Sequence, residues 1–141
     1  MSRWTYLAML APAAYFGLMS AHQGVRAQLE LALARTPEAF SRVLAEHGGR
    51  GAVRTGVLID LGFVALFLVV AGYLLVRADL PWWPAVAAAA LDLLQNLLLV
   101  VATGREPGST LRLALLVTTI AMFLAYALTL AALLVGCVRA R

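Results

Sequence analysis

The chain has 141 residues, of which 63% are apolar and only 13% charged. The charged share is about half that of ordinary soluble domains, so a water-soluble globule is excluded and lipid is the expected solvent. The net charge of +4 comes entirely from arginine, since lysine is absent. No basic run with interleaved aromatics accompanies it, so nucleic acid is excluded as a partner and the charge is assigned to helix ends near anionic headgroups.

Four apolar stretches are long enough for the roughly 20 residues that cross a bilayer. The first covers about 4–21 and contains Pro12, which is expected to kink it. Its start, with Arg3 before an apolar run and Ser20-Ala21 after it, imitates a signal peptide. Met19 stands where a small residue is required, so the segment is expected to be retained.

After His22 the helix is expected to run on out of the membrane through Leu29 and Leu33. A second start signal follows in Thr36-Pro37-Glu38: an N-cap, a first-turn proline and an early acid. Phe40, Val43, Leu44 and His47 then recur at i, i+3, i+4 and i+7, which predicts a short amphipathic helix over 37–47, ended by Gly48-Gly49. Its expected position is flat on the mouth of the bundle.

The remaining spans cover about 55–76, 82–102 and 111–138. The second and third are joined by Arg77-Ala78-Asp79-Leu80-Pro81. Gly104, Pro107 and Gly108 break the third from the fourth. Short loops make these neighbours antiparallel. The expected fold class is therefore all-α, a four-transmembrane-helix bundle with a short amphipathic helix in the first loop, forming one integral membrane domain.

Even crossings put both termini on one side, here side A, and the long loop on side B. Side A carries Arg3, Arg77, Arg139 and Arg141. Side B carries Arg26, Arg35, Arg42, Arg50, Arg54, Arg105 and Arg112. The raw count favours side B as cytoplasmic. The shorter, denser arginine set of side A tips the reading towards cytoplasmic termini.

Ionisable residues inside hydrocarbon are costly and are functional candidates by default. Two occur here, Asp60 and Asp92, and they are the candidate acid–base pair. At about 1.5 Å per residue, Asp60 lies roughly 8 Å inside side B, level with Asn96 on the antiparallel third helix. Asp92, Gln95 and Asn96 share one helical face by i, i+3 and i+4 spacing. His22, Gln23, Gln95, Asn96, Thr118 and Thr119 crowd the same half of the membrane, so they are the candidate ligand-binding residues. The other half is nearly all Ala, Leu and Val. A polar-lined cleft opening towards side B is the expectation. The plainer alternative is that these amides and acids only hold helices together. Gly56 and Asp60 likewise share a face at i, i+4, and Gly62 and Gly72 of the second span are expected to allow close helix approach.

No metal-ligand spacing, phosphate loop, nucleophile elbow or haem motif occurs, so neither metal nor cofactor is expected. Cys137 has no partner for an internal disulfide.

The segments Leu58-Ile59-Asp60-Leu61-Gly62-Phe63 and Asp92-Leu93-Leu94-Gln95-Asn96, with Ala39-Phe40-Ser41-Arg42-Val43-Leu44 before them, resemble a group of uncharacterised small bacterial membrane proteins. That group bears an Asp-Leu-Leu-Glu-Asn-type third span, from which Gln95 departs. The resemblance implies a bacterial inner-membrane bundle and no particular activity. In architecture and in Asp60 alone, the chain is also similar to the four-helix sterol-isomerase and sigma-2-receptor superfamily.

Three functions follow. The first is a component that binds a lipophilic molecule, or that serves as an accessory subunit of a larger membrane complex. The second is an enzyme using acid–base chemistry on a lipid or isoprenoid. The third is a proton-coupled transporter working as a homo-oligomer. Membrane lipids are the expected surroundings in every case.

Overall fold

The computed structural model describes residues 2–140. Arg141, counted above with side A, lies outside them. Of the described residues 86% are helical and none forms a strand. In chain order the elements are a 3-10 helix over Arg3–Met9, α1 (Leu10–Met19), α2 (Gln23–Leu33), α3 (Pro37–Glu46), α4 (Gly49–Arg77), α5 (Trp83–Gly104) and α6 (Ser109–Arg139). Three of these, α4, α5 and α6, are long and apolar enough to cross a membrane. The chain is an integral membrane protein.

The amino-terminal stretch differs from a single kinked helix. Seven residues wind as a 3-10 helix before the α-helix starts at Leu10. Pro12 gives the reason. It has no N–H to donate four residues back, and its ring crowds the carbonyl at that position. With the α-helix starting at Leu10, Pro12 falls in the first turn, where no donor is needed.

The helix expected to continue past His22 instead stops at Met19 and restarts. His22 adopts an extended backbone (φ −76°, ψ 131°) and its Nδ1 accepts from the Gly24 amide, 3.1 Å away, as the N-cap of α2. The second start signal is also used. Thr36 Oγ1 accepts from Ala39 N at 3.1 Å, and Pro37 opens α3. Helix α3 ends at a left-handed Gly48 (φ 85°), which turns the chain directly into α4. Asp79 (φ 52°), one of the few residue types that tolerate the left-handed region, makes the turn between α4 and α5.

Helix α2 reaches α4 by a crossing of two glycines. A Cβ on Gly56 would lie 2.7 Å from Val25 N and 2.8 Å from Gly24 O, so only hydrogen fits there. Gly62 accommodates the Tyr15 ring, whose hydroxyl donates to Ile59 O at 2.8 Å and fixes α1 on α4. Gly72, expected to allow a similar approach, faces open space.

The interior is layered. One apolar cluster joins Leu31, Phe40, Val53, Val57, Leu99 and Leu115 towards the loop-helix end. A second joins Phe67, Ala71, Leu74, Ala88 and Leu133 towards the termini. Buried Asp60, Asp92, Gln95, Asn96, Thr118 and Thr119 occupy the helical turns between them. The polar residues thus form a band at mid-height between the two apolar clusters.

Candidate functional site

Three antiparallel helices bring their polar positions to one level. Asn96 Nδ2 of α5 donates to Asp60 Oδ2 of α4 at 2.7 Å, and also to Asp92 Oδ1 one turn earlier on its own helix at 3.2 Å. Tyr126 of α6 donates its hydroxyl to the other oxygen of Asp92 at 2.6 Å. Sharing one amide nitrogen puts the accepting oxygens of the two acids within about 6 Å of each other. Asp60 and Asp92 are 5% and 3% exposed, which decides that both are interior groups and not lipid-facing ones. The Tyr126 ring is held edge-on to Phe67 at 4.7 Å, and Phe63 bridges Phe67 and Phe16.

Both acids form part of the wall of a cavity of about 890 Å³, bounded by the amino-terminal helices, α2, α4, α5 and α6. Aliphatic and aromatic side chains make most of its lining, interrupted by Asp60, Asp92, Gln95, Thr119 and Tyr126 on α4, α5 and α6 and by Ser20, Arg26, Gln28 and Glu30 at the α1–α2 end. Helix α2 supplies Val25, Gln28 and Leu29 as a roof, and no residue of α3 lines the space. The cover expected from the 37–47 helix thus comes from the segment before it. Lining residues Leu10, Phe16, Phe123 and Leu130 are exposed. The space therefore opens sideways between α1 and α6, which is where acyl chains would lie around a membrane protein.

The sequence candidates divide as follows. Asp60, Asp92 and Gln95 line the cavity, and Asn96 sits behind them as the bridge between the two acids. Thr119 lines it too, but donates its hydroxyl to Leu115 O at 2.8 Å within its own helix. Thr118 is buried away from the cavity. His22 is engaged in capping α2, Gln23 is exposed, and neither reaches the space. His47 pairs with Glu30 at 3.5 Å across the α2–α3 corner. Among the described residues no group of three or more His, Cys, Asp or Glu side chains could hold a metal ion.

Several lining residues were missed from sequence, Tyr126 and Gln28 among them. Tyr126 looks like any aromatic in an apolar helix, although its i+7 spacing from Thr119 was a usable sign. Gln28 falls in a segment read as leaving the membrane. It is buried, and its Nε2 has no hydrogen-bond partner. No family model, curated protein or solved structure matches the chain.

Proposed function

We propose that this protein is a four-crossing membrane protein that takes up a lipophilic molecule from the bilayer and holds it against the Asp60–Asn96–Asp92–Tyr126 network. The amino-terminal helices make the fourth crossing. Seven 3-10 residues at about 2.0 Å and ten α residues at about 1.5 Å give roughly 29 Å, close to the thickness of the hydrocarbon core. Both termini then share a side, taken as cytoplasmic from its short, arginine-dense segments, with the bacterial inner membrane as the location. Helix α3, with Phe40 and Leu44 packed inwards, lies at the opposite surface as the amphipathic element of the first loop.

One observation carries the binding reading: a cavity of about 890 Å³, apolar and open to the side, has two carboxyl groups in its wall. Its volume lies within the range of small-molecule pockets, and its lining of many apolar groups with a few convergent polar ones is their usual composition. Pure helix adhesion would consume the polar groups between helices and leave no space beside them. Native mass spectrometry of the protein released from nanodiscs tests the reading. A defined extra mass of lipid size, retained at collision energies that strip bulk lipid, is expected. A bare polypeptide under those conditions overturns it.

The coupling of two acids through one amide favours a second reading, acid–base catalysis on a lipid or isoprenoid. Asp92→Asn separates the readings. A binder keeps its ligand with little change, whereas an enzyme keeps its ligand and accumulates it unconverted.

A further inference from the structure

We infer that Gln95 reads the head of the occupant, and that this head is an uncharged primary carboxamide on a long apolar chain. The inference rests on the binding reading above and adds the chemistry of the head. Helix α5 reaches the cavity through two residues only, Asp92 and Gln95. Gln95 is 3% exposed, yet its side chain has no hydrogen-bond partner among the described residues. Its amide is not sealed within protein as Gln28 Nε2 and Asn96 Oδ1 are, so the cavity is what it faces. A buried amide without partners is costly, and native structures keep few of them. An occupant that completes the site therefore brings an acceptor for Gln95 Nε2 and a donor for Gln95 Oε1.

The surroundings of Gln95 narrow the choice of head. Asp92 lies three residues back on the same helical face, its Cβ about 5–6 Å from that of Gln95 by helix geometry. Both oxygens of Asp92 already accept from protein donors, Asn96 and Tyr126. A carboxylate or phosphodiester would satisfy Nε2, but it would leave Oε1 without a donor and stand beside two acids. An ammonium would satisfy Oε1 and leave Nε2 without an acceptor. A hydroxyl has one oxygen, which cannot make straight bonds to both atoms of one planar amide. A carboxamide repeats the edge that Gln95 presents. Its carbonyl accepts from Nε2 while its N–H donates to Oε1, in two parallel bonds. A primary carboxamide keeps a second N–H for the carboxyl groups of the same wall. The α6 lining from Thr119 to Leu130 covers about 16 Å, which suits a single long chain.

The test is competition for a hexadecanamide bearing a diazirine in its chain, crosslinked to the protein in nanodiscs. Competitors are hexadecanamide, N,N-dimethylhexadecanamide, hexadecanol, hexadecylamine, palmitate and hexadecane. Saturable labelling of α6 peptides is expected, with hexadecanamide competing about fivefold or more better than the rest. The dimethyl compound keeps the carbonyl and lacks the N–H, so it isolates the donor to Oε1. Gln95→Met, close in size but without the amide, is expected to bring hexadecanamide down to the dimethyl compound and to leave hexadecane competition unchanged. Equal or better competition by any other compound overturns the head assignment, as does a Gln95→Met protein that keeps the preference. Absence of saturable labelling, in a protein that still carries a lipid-sized mass in the native mass spectrum, overturns the head assignment alone. Absence of both overturns the binding reading itself. If Gln95→Met fails to fold, the ranking on the unmodified protein still decides.

Discussion

The glycine crossing between α2 and α4 gives the sharpest handle on the cavity roof. Gly56→Ala introduces a Cβ whose neighbours, Val25 N at 2.7 Å and Gly24 O at 2.8 Å, are backbone atoms that cannot rotate away. Comfortable contacts for a carbon lie near 3.5–4.0 Å, so α2 must retreat by about 1 Å. Overpacking of this kind costs about 1–3 kcal/mol. Gly72→Ala on the same helix is the control, because a Cβ there meets nothing within 4 Å. It should be neutral, or stabilising by up to about 1 kcal/mol through reduced backbone freedom. Unfolding of both variants in mixed micelles, followed by circular dichroism, should place Gly56→Ala below the parent and Gly72→Ala at or above it. Adding Gly24→Ala to Gly56→Ala should cost less than the two singles together, since the helix has already moved. Equal stability of Gly56→Ala and Gly72→Ala would refute the close crossing.

Other consequences concern the polar band and the loop. Tyr126→Phe keeps the ring against Phe67 but strips Asp92 of its hydroxyl donor, so a loss of about 1 kcal/mol is expected in the same unfolding assay. Asn96→Leu leaves both acids without their bridge and should cost more, about 3 kcal/mol, and the two losses should be non-additive in a double-mutant cycle. Thr36→Ala removes the cap of α3 at a cost of about 1 kcal/mol, read as faster hydrogen exchange at Ala39 with exchange in α4 unchanged.

Much of this architecture was legible in the residues themselves. Apolar length alone identified α4, α5 and α6. Depth counting from opposite faces correctly set Asp60 level with Asn96, because antiparallel helices with tight turns leave little freedom in register. The start signal at Thr36-Pro37 was readable because its capping chemistry is local. His22 hid a helix start, since histidine is an uncommon cap and the residues around it keep good helical propensity. That concealed the direction of α2, and with it Gln28 and the roof. The sideways opening was also beyond sequence, because it depends on α1 leaning on α4 through Tyr15 and Gly62 rather than on α6.

The 3-10 stretch at the amino terminus makes the first helix adjustable in length. Rewinding its seven residues as α-helix would shorten it by about 3.5 Å without breaking the chain. Tyr15 anchors the far end to α4, so the change falls on the near end, where Tyr6 meets Gly136 of α6. With the amino-terminal helices as the proposed fourth crossing, a thinner bilayer would favour the shorter form and a thicker one the longer. On that proposal, the side opening of the cavity shares an edge with a helix whose length can follow membrane thickness.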